Sequence, residues 1–150
     1  MGNYHQGTYT PINKEKYVGK GDPYFRSGWE RRCFYYFDTN KNVLEWASEN
    51  IAIQYYYPLD QKNHRYYPDI YCKVKQKDGK TATWIIEIKP YAQSVKPKPP
   101  KKKTAKSMRN YNNARQVVLK NEFKWKAAEE YCRKKGFTFK VITEKQIFAD

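Results

Sequence analysis

The chain lacks any run of about 18 apolar residues, so nothing in it reads as a membrane-spanning helix. Its opening, MGNYHQGTYT, has no apolar core of the secretory kind. Gln6 stands where a myristoylation signal after Gly2 needs Ser or Thr. Cysteine is sparse. Cys33, Cys72 and Cys132 are odd in number and no two have zinc-ligand spacing. A disulfide framework is therefore not expected, and the three read as small buried residues in a reducing compartment. Ser27 has no evident His-Asp partners, so it is not expected to be a nucleophile. There is no internal repeat. Acidic residues are in deficit, 15 against 30 Lys plus Arg, for a net charge of +15. These absences suggest a protein with no membrane partner, soluble inside a cell or packaged in a particle assembled there. At 150 residues one domain can bury a core without staples.

The charge that is present disfavours compaction and attracts polyanions, nucleic acid first and an acidic membrane surface second. The 15 Tyr and 4 Trp could stack on bases, although most are expected in the core or on amphipathic surface. Residues 1–25, with Gly19, Gly21, Pro11 and Pro23, read as an irregular basic arm. Ser27-Gly28-Trp29-Glu30 has the form of a capping box. Trp29, Cys33, Phe34, Tyr36 and Phe37 then follow as one helical face, ended by Asp38-Thr39-Asn40. Strands are expected at 50–57, 65–75, 81–89 and 137–142, with a turn from Pro58 to Asn63. KPKPPKKK at 96–103 reads as an exposed cationic loop. One or two helices run from near Thr104 to Gly136, the second residue in the left-handed stop position. Thr143 and Gln146 could cap a short last helix. The pattern is mixed α/β, with helices packed on a sheet.

The chemistry lies in the hairpin. Its first strand carries Pro68-Asp69 and its second carries Glu87-Ile88-Lys89. Strand alternation puts Glu87 and Lys89 on one face. An acid within an isoleucine-rich run is costly to bury unless it binds something. A three-residue loop, Lys77-Asp78-Gly79, pairs Gln76 with Lys80 and carries Asp69 opposite Glu87. A two-residue loop would put Asp69 opposite Ile88. Only the longer loop lets Ile70, Cys72 and Val74 share an apolar face with Ala82, Trp84, Ile86 and Ile88. Asp69, Glu87 and Lys89 then converge, with the two acids' Cβ atoms about 5 Å apart. Paired carboxylates without nitrogen or sulfur ligands suit Mg²⁺ or Mn²⁺. Glu49 and Asp60 are expected on the surface, and His64 as structural.

This constellation resembles the PD-(D/E)xK nuclease superfamily, with Pro68-Asp69 as the PD and Glu87-Ile88-Lys89 as the ExK. Residues 26–30 (RSGWE), YYPDI, IIEIKP and the late FKVITE resemble the head completion nucleases of T4-like tailed phages. The TnsA-type transposon endonucleases are more distantly similar. The resemblance implies a restriction-endonuclease-like core, a mixed central sheet flanked by helices, as a single domain over 26–150. It implies a Mg²⁺- or Mn²⁺-dependent DNA endonuclease acting in capsid maturation or DNA packaging. Its location would be the virion or the cytoplasm of the infected cell, with portal or neck proteins as further partners. Asp69, Glu87 and the Ile88 carbonyl would hold the ion. Lys89 would be catalytic, and Glu30, which a capping box alone also explains, would complete the site. Arg26, Arg31, Arg32, Lys101, Lys102 and Lys103 are candidate phosphate contacts. Two rival readings stay open: a non-catalytic basic head or neck completion protein, and a transposase-associated or repair endonuclease of the same fold.

Overall fold

The computed structural model describes residues 6–147, with the backbone alone for Glu144 and Ile147. Ser27 begins the first helix as its sequence suggests. Its backbone is extended (φ −151°, ψ 161°) and its hydroxyl accepts the Glu30 N–H at 3.2 Å. Glu30 reaches one residue further back than a capping box requires, accepting the Arg26 N–H at 2.6 Å. Helix α1 spans Gly28–Thr39 and buries Cys33, Phe34, Phe37 and Asp38 along one face.

The irregular arm expected at 1–25 is corrected for the part described, since residues 1–5 lie outside the described residues. Strand β1 (Gly7–Thr8) pairs antiparallel with β2 (Tyr24–Phe25). Asp38, fully buried, fastens the segment between them to the end of α1. Its Oδ2 accepts the Tyr9 hydroxyl at 2.6 Å and the Ile12 N–H at 2.7 Å, and its Oδ1 accepts the Asn13 N–H at 3.0 Å. The Lys16 ammonium donates to the Asp38 and Asn40 carbonyls at 2.8 Å each. Tyr9 and Phe25 thereby enter the main core.

Strand β3 (Val43–Ser48) was not expected. Trp46 and Ala47 are adjacent and both fully buried, which hides the period-2 pattern. Strands β4 (Ile53–Tyr57) and β5 (Lys62–Tyr66) form a hairpin of their own. The single strand expected at 65–75 is in fact two. Pro68 supplies no N–H, so β5 stops at Tyr66 and β6 (Ile70–Lys75) starts in another sheet. Strand β7 spans Thr81–Ile88. The β6–β7 loop is the three-residue one: the Gln76 N–H donates to the Lys80 carbonyl at 2.8 Å, and Gly79 takes φ +84°. Ile70 faces Ile86 and Cys72 faces Trp84, the expected register.

A single turn, α2 (Tyr91–Ser94), follows. Helix α3 (Ala105–Lys135) is one continuous helix of 31 residues, about 46 Å long. Thr104 and Ser107 cap its start reciprocally, and Gly136 ends it at φ +75°. Strand β8 (Thr138–Ile142) lies parallel to β7, and α4 (Glu144–Ile147) closes the described chain. Gln146 Oε1 accepts the Thr143 N–H at 2.6 Å, as its spacing suggested.

The main sheet has the order β3-β6-β7-β8 and is mixed. Its even-numbered face, with Ile70, Cys72, Ile86 and Ile88, packs against Phe34 and Phe37 of α1. A second core joins Ile53, Tyr55, Tyr57 and Tyr66 of the β4–β5 hairpin to Phe123, Trp125 and Ala128 of α3 and Phe139 of β8. Among the described residues no helix is long and apolar enough to cross a membrane.

Candidate active site

Asp69 occupies the gap that Pro68 opens between β5 and β6. Its carbonyl accepts the Glu49 N–H at 3.0 Å, and its Oδ2 accepts the Ile88 N–H at 2.7 Å. The side chain therefore reaches across to the end of β7, one step past the last ladder pair of Ile70 and Ile86. Glu87, on β7, is 4% exposed. One of its oxygens accepts the buried Tyr66 hydroxyl at 2.8 Å, and the other lies 3.5 Å from the Lys89 ammonium. The structure thus brings Asp69, Glu87 and Lys89 together, with Ile88 meeting Asp69 through its N–H.

The electrostatics of this cluster are unusual. Burial pushes the Asp69 carboxyl well above the usual carboxylate range. The charge of Glu87 and a hydrogen bond between the two acids push the same way, and the Ile88 N–H opposes them. Two acids sharing a dry spot do not both ionise readily unless a cation joins them. Burial, then the Glu87 charge, raises the Tyr66 phenol far above its ordinary value, so it stays a donor.

Glu30 is half-buried at the N-terminal end of α1, and burial raises its pKa against the opposing Arg26 N–H and guanidinium. Its charge acts on Asp69. Yet among the described residues no three His, Cys, Asp or Glu side chains gather closely enough to form a metal cage. The close pair is Asp69 and Glu87, and Glu30 stands beside it. Of the residues singled out for phosphate contact, Arg26 borders the site, with its N–H on Glu30 and its guanidinium within reach of the Asp69 charge. Arg26 pairs with Glu49 at 2.8 Å, and Arg31 lies over the Phe25 ring at 5.9 Å. Arg32 is exposed on α1, and Lys101, Lys102 and Lys103 are exposed just ahead of the α3 cap. His64 pairs with Asp60 at 2.7 Å in the β4–β5 hairpin and stacks on the Tyr55 ring.

Two residues at the site were not foreseen. Tyr66 orients Glu87, and Lys124 of α3 places its ammonium 5.6 Å from the centre of the Tyr66 ring. No spacing rule links positions on three separate elements. A break read at Pro68 would have set Tyr66 on a different hairpin from Asp69, and that was the available signal.

The sequence model of the TnsA-like endonuclease N-terminal domain matches residues 40–144. That span includes Tyr66, Asp69, Glu87 and Lys89 and leaves Glu30 outside. The head completion nuclease of Enterobacteria phage T4 is 33% identical over 143 residues, 93% of this chain and 91% of that protein. No solved structure matches. With the match covering every strand of the main sheet and the acid pair on it, the chain belongs to the TnsA-like endonuclease N-terminal family, and its helix-flanked mixed sheet is that of a restriction-endonuclease-like nuclease domain.

Proposed function

We propose that this protein is a divalent-metal-dependent DNA endonuclease serving phage head completion. The observation that carries the reading is the pairing of half-buried Asp69 with buried Glu87 beside Lys89. Membership in an endonuclease family supports the nuclease part, and the likeness to a head completion nuclease supports the phage role.

The residues fit a hard cation. Two carboxyls that repel one another in a buried spot, with no His or Cys in the pair, favour Mg²⁺ or Mn²⁺. Asp69 and Glu87 would hold the ion, with the Ile88 carbonyl as the backbone ligand. Bound there, it supplies Lewis-acid polarisation of a phosphate oxygen and makes water more acidic. The chain's own groups do the rest. The Tyr66 hydroxyl fixes the Glu87 carboxylate in one orientation. Lys89 holds the attacking water and offsets the negative charge that builds on the phosphate. Glu30 positions a second water or ion at the edge of the site. Water attacks phosphorus, the P–O bond to the leaving nucleoside breaks, and the leaving oxygen takes a proton. The basic surface, including Arg26, Arg31, Arg32 and the 101–103 lysines, contacts backbone phosphates without reading sequence. DNA is the substrate, portal or neck proteins are further partners, and the virion or the infected cell is the place of action.

Plasmid incubated with the protein and Mg²⁺ or Mn²⁺ tests this. Wild type nicks or linearises it, and Asp69→Ala and Glu87→Ala each lower the rate at least a hundredfold. Cleavage that survives both substitutions removes the site assignment. A wild type inert with either metal favours a non-catalytic basic completion protein.

A further inference from the structure

Helix α3 carries two lysines, Lys120 and Lys124, one turn apart and half-buried. Each lies against a tyrosine of the β4–β5 hairpin: Lys120 is 5.5 Å from the Tyr57 ring centre and Lys124 is 5.6 Å from that of Tyr66. Neither forms an ion pair with a carboxylate among the described residues, whereas Arg26, Lys89 and Arg133 do. The charges acting on the Lys124 ammonium are those of Lys89, Glu87, Lys120 and Asp69. Lys124 therefore borders the acid pair, over the ring whose hydroxyl meets Glu87, and Lys120 lies one turn back along α3. Four and eight residues before Lys120, Gln116 and Asn112 carry the same side of the helix into a groove bordered by Lys96 and Arg115.

Two ammonium groups one turn apart, each over a ring and without a carboxylate partner among the described residues, offer paired donors to an anion. They rest over the rings, which holds them in place. The Lys101–Lys103 run is exposed and lacks such support. Resting on the nuclease reading above, we infer that Lys120 and Lys124 form a phosphate lane on α3, gripping consecutive backbone phosphates of the DNA strand that leads into the Asp69–Glu87 pair. The occupant is the phosphodiester backbone of DNA, at any sequence.

The test compares two variants of equal net charge. Lys120→Gln with Lys124→Gln empties the lane. Lys77→Gln with Lys80→Gln removes the same charge at the β6–β7 turn, about 20 Å along the strands from the acids. Binding of a fluorescent 20-base-pair duplex is followed by anisotropy in EDTA at several salt concentrations. The lane variant is expected to bind at least tenfold more weakly than the turn variant at 100 mM salt. Its log Kd against log salt slope should be about 2 units shallower than that of wild type, since each phosphate contact contributes about 0.9. Equal behaviour of the two variants, or a slope unchanged in the lane variant, overturns the lane. A second measurement needs no variant: DNA should shield Lys120 and Lys124 of wild type from acetylation more than tenfold, while Lys77 and Lys80 stay reactive. Absence of that shielding also overturns it. Neither assay requires cleavage. A wild type that shows the lane but cuts no plasmid removes the nuclease reading alone, and one that cuts without using these lysines removes the lane alone.

Discussion

Glu87 sits almost out of solvent with a phenol on one oxygen and an ammonium near the other, and Tyr66 decides how that carboxylate points. Tyr66→Phe deletes the donor and keeps the ring against Lys124. A hydrogen bond to a charged group contributes about 1.5–3 kcal/mol, so plasmid cleavage should slow about tenfold or more while duplex binding holds. Single-turnover rates and anisotropy check it, and an unchanged rate contradicts the role. Asp69, Glu87 and Lys89 were legible from sequence because two rules meet there. Strand alternation set their face, and Gly79 in the left-handed region set the register. Tyr66 and Lys124 were not legible. Both reach the acids through tertiary packing, one from a separate hairpin and one from a helix that starts 17 residues after β7 ends.

Among the elements, α1 shows how a helix end can organise chain far from it. Burial pushes the Asp38 carboxyl up, but hydrogen bonds from Tyr9, Ile12 and Asn13 outweigh it and hold the group below the usual range. A carboxyl lowered by folding contributes stability that is present above its unfolded pKa and is lost as pH falls through its folded pKa. Asp38→Ala leaves the buried Tyr9 hydroxyl and two part-buried backbone N–H groups without their acceptor and should cost about 3 kcal/mol at pH 7. Thermal melts should show that deficit narrowing as pH drops below the ordinary aspartate range. A deficit independent of pH contradicts the charged role. The helix caps and stops were readable, since Ser27, Thr104 and Gly136 act within one turn of themselves. The folded N-terminal segment was not, because its polar residues are satisfied by one acid more than 20 residues away. Strand β3 was hidden for another reason: its two buried neighbours, Trp46 and Ala47, break alternation.

At the scale of the whole molecule the net charge of +15 is distributed over surface far from the acid pair as well as beside it. The 31-residue α3 links the two, with Lys120 and Lys124 on the β4–β5 hairpin and the cationic 101–103 run just ahead of its cap. If about six phosphates are neutralised, affinity for duplex DNA should fall roughly a thousandfold between 50 and 200 mM salt. Anisotropy titrations of wild type measure this directly, and a flat salt response contradicts phosphate-led binding. Basic charge suggested a polyanion from composition alone. Which lysines lie beside the acid pair depended on where α3 lies.

The most direct test of the acid pair is Mn²⁺ binding followed by electron paramagnetic resonance, comparing wild type with Asp69→Asn and Glu87→Gln. A carboxyl raised by burial and a neighbouring acid must give up its proton to take a metal, so wild-type affinity should climb as pH rises through the elevated Asp69 pKa. The account predicts one strong site in wild type that both variants weaken at least a hundredfold. Binding of equal strength in all three proteins would contradict it.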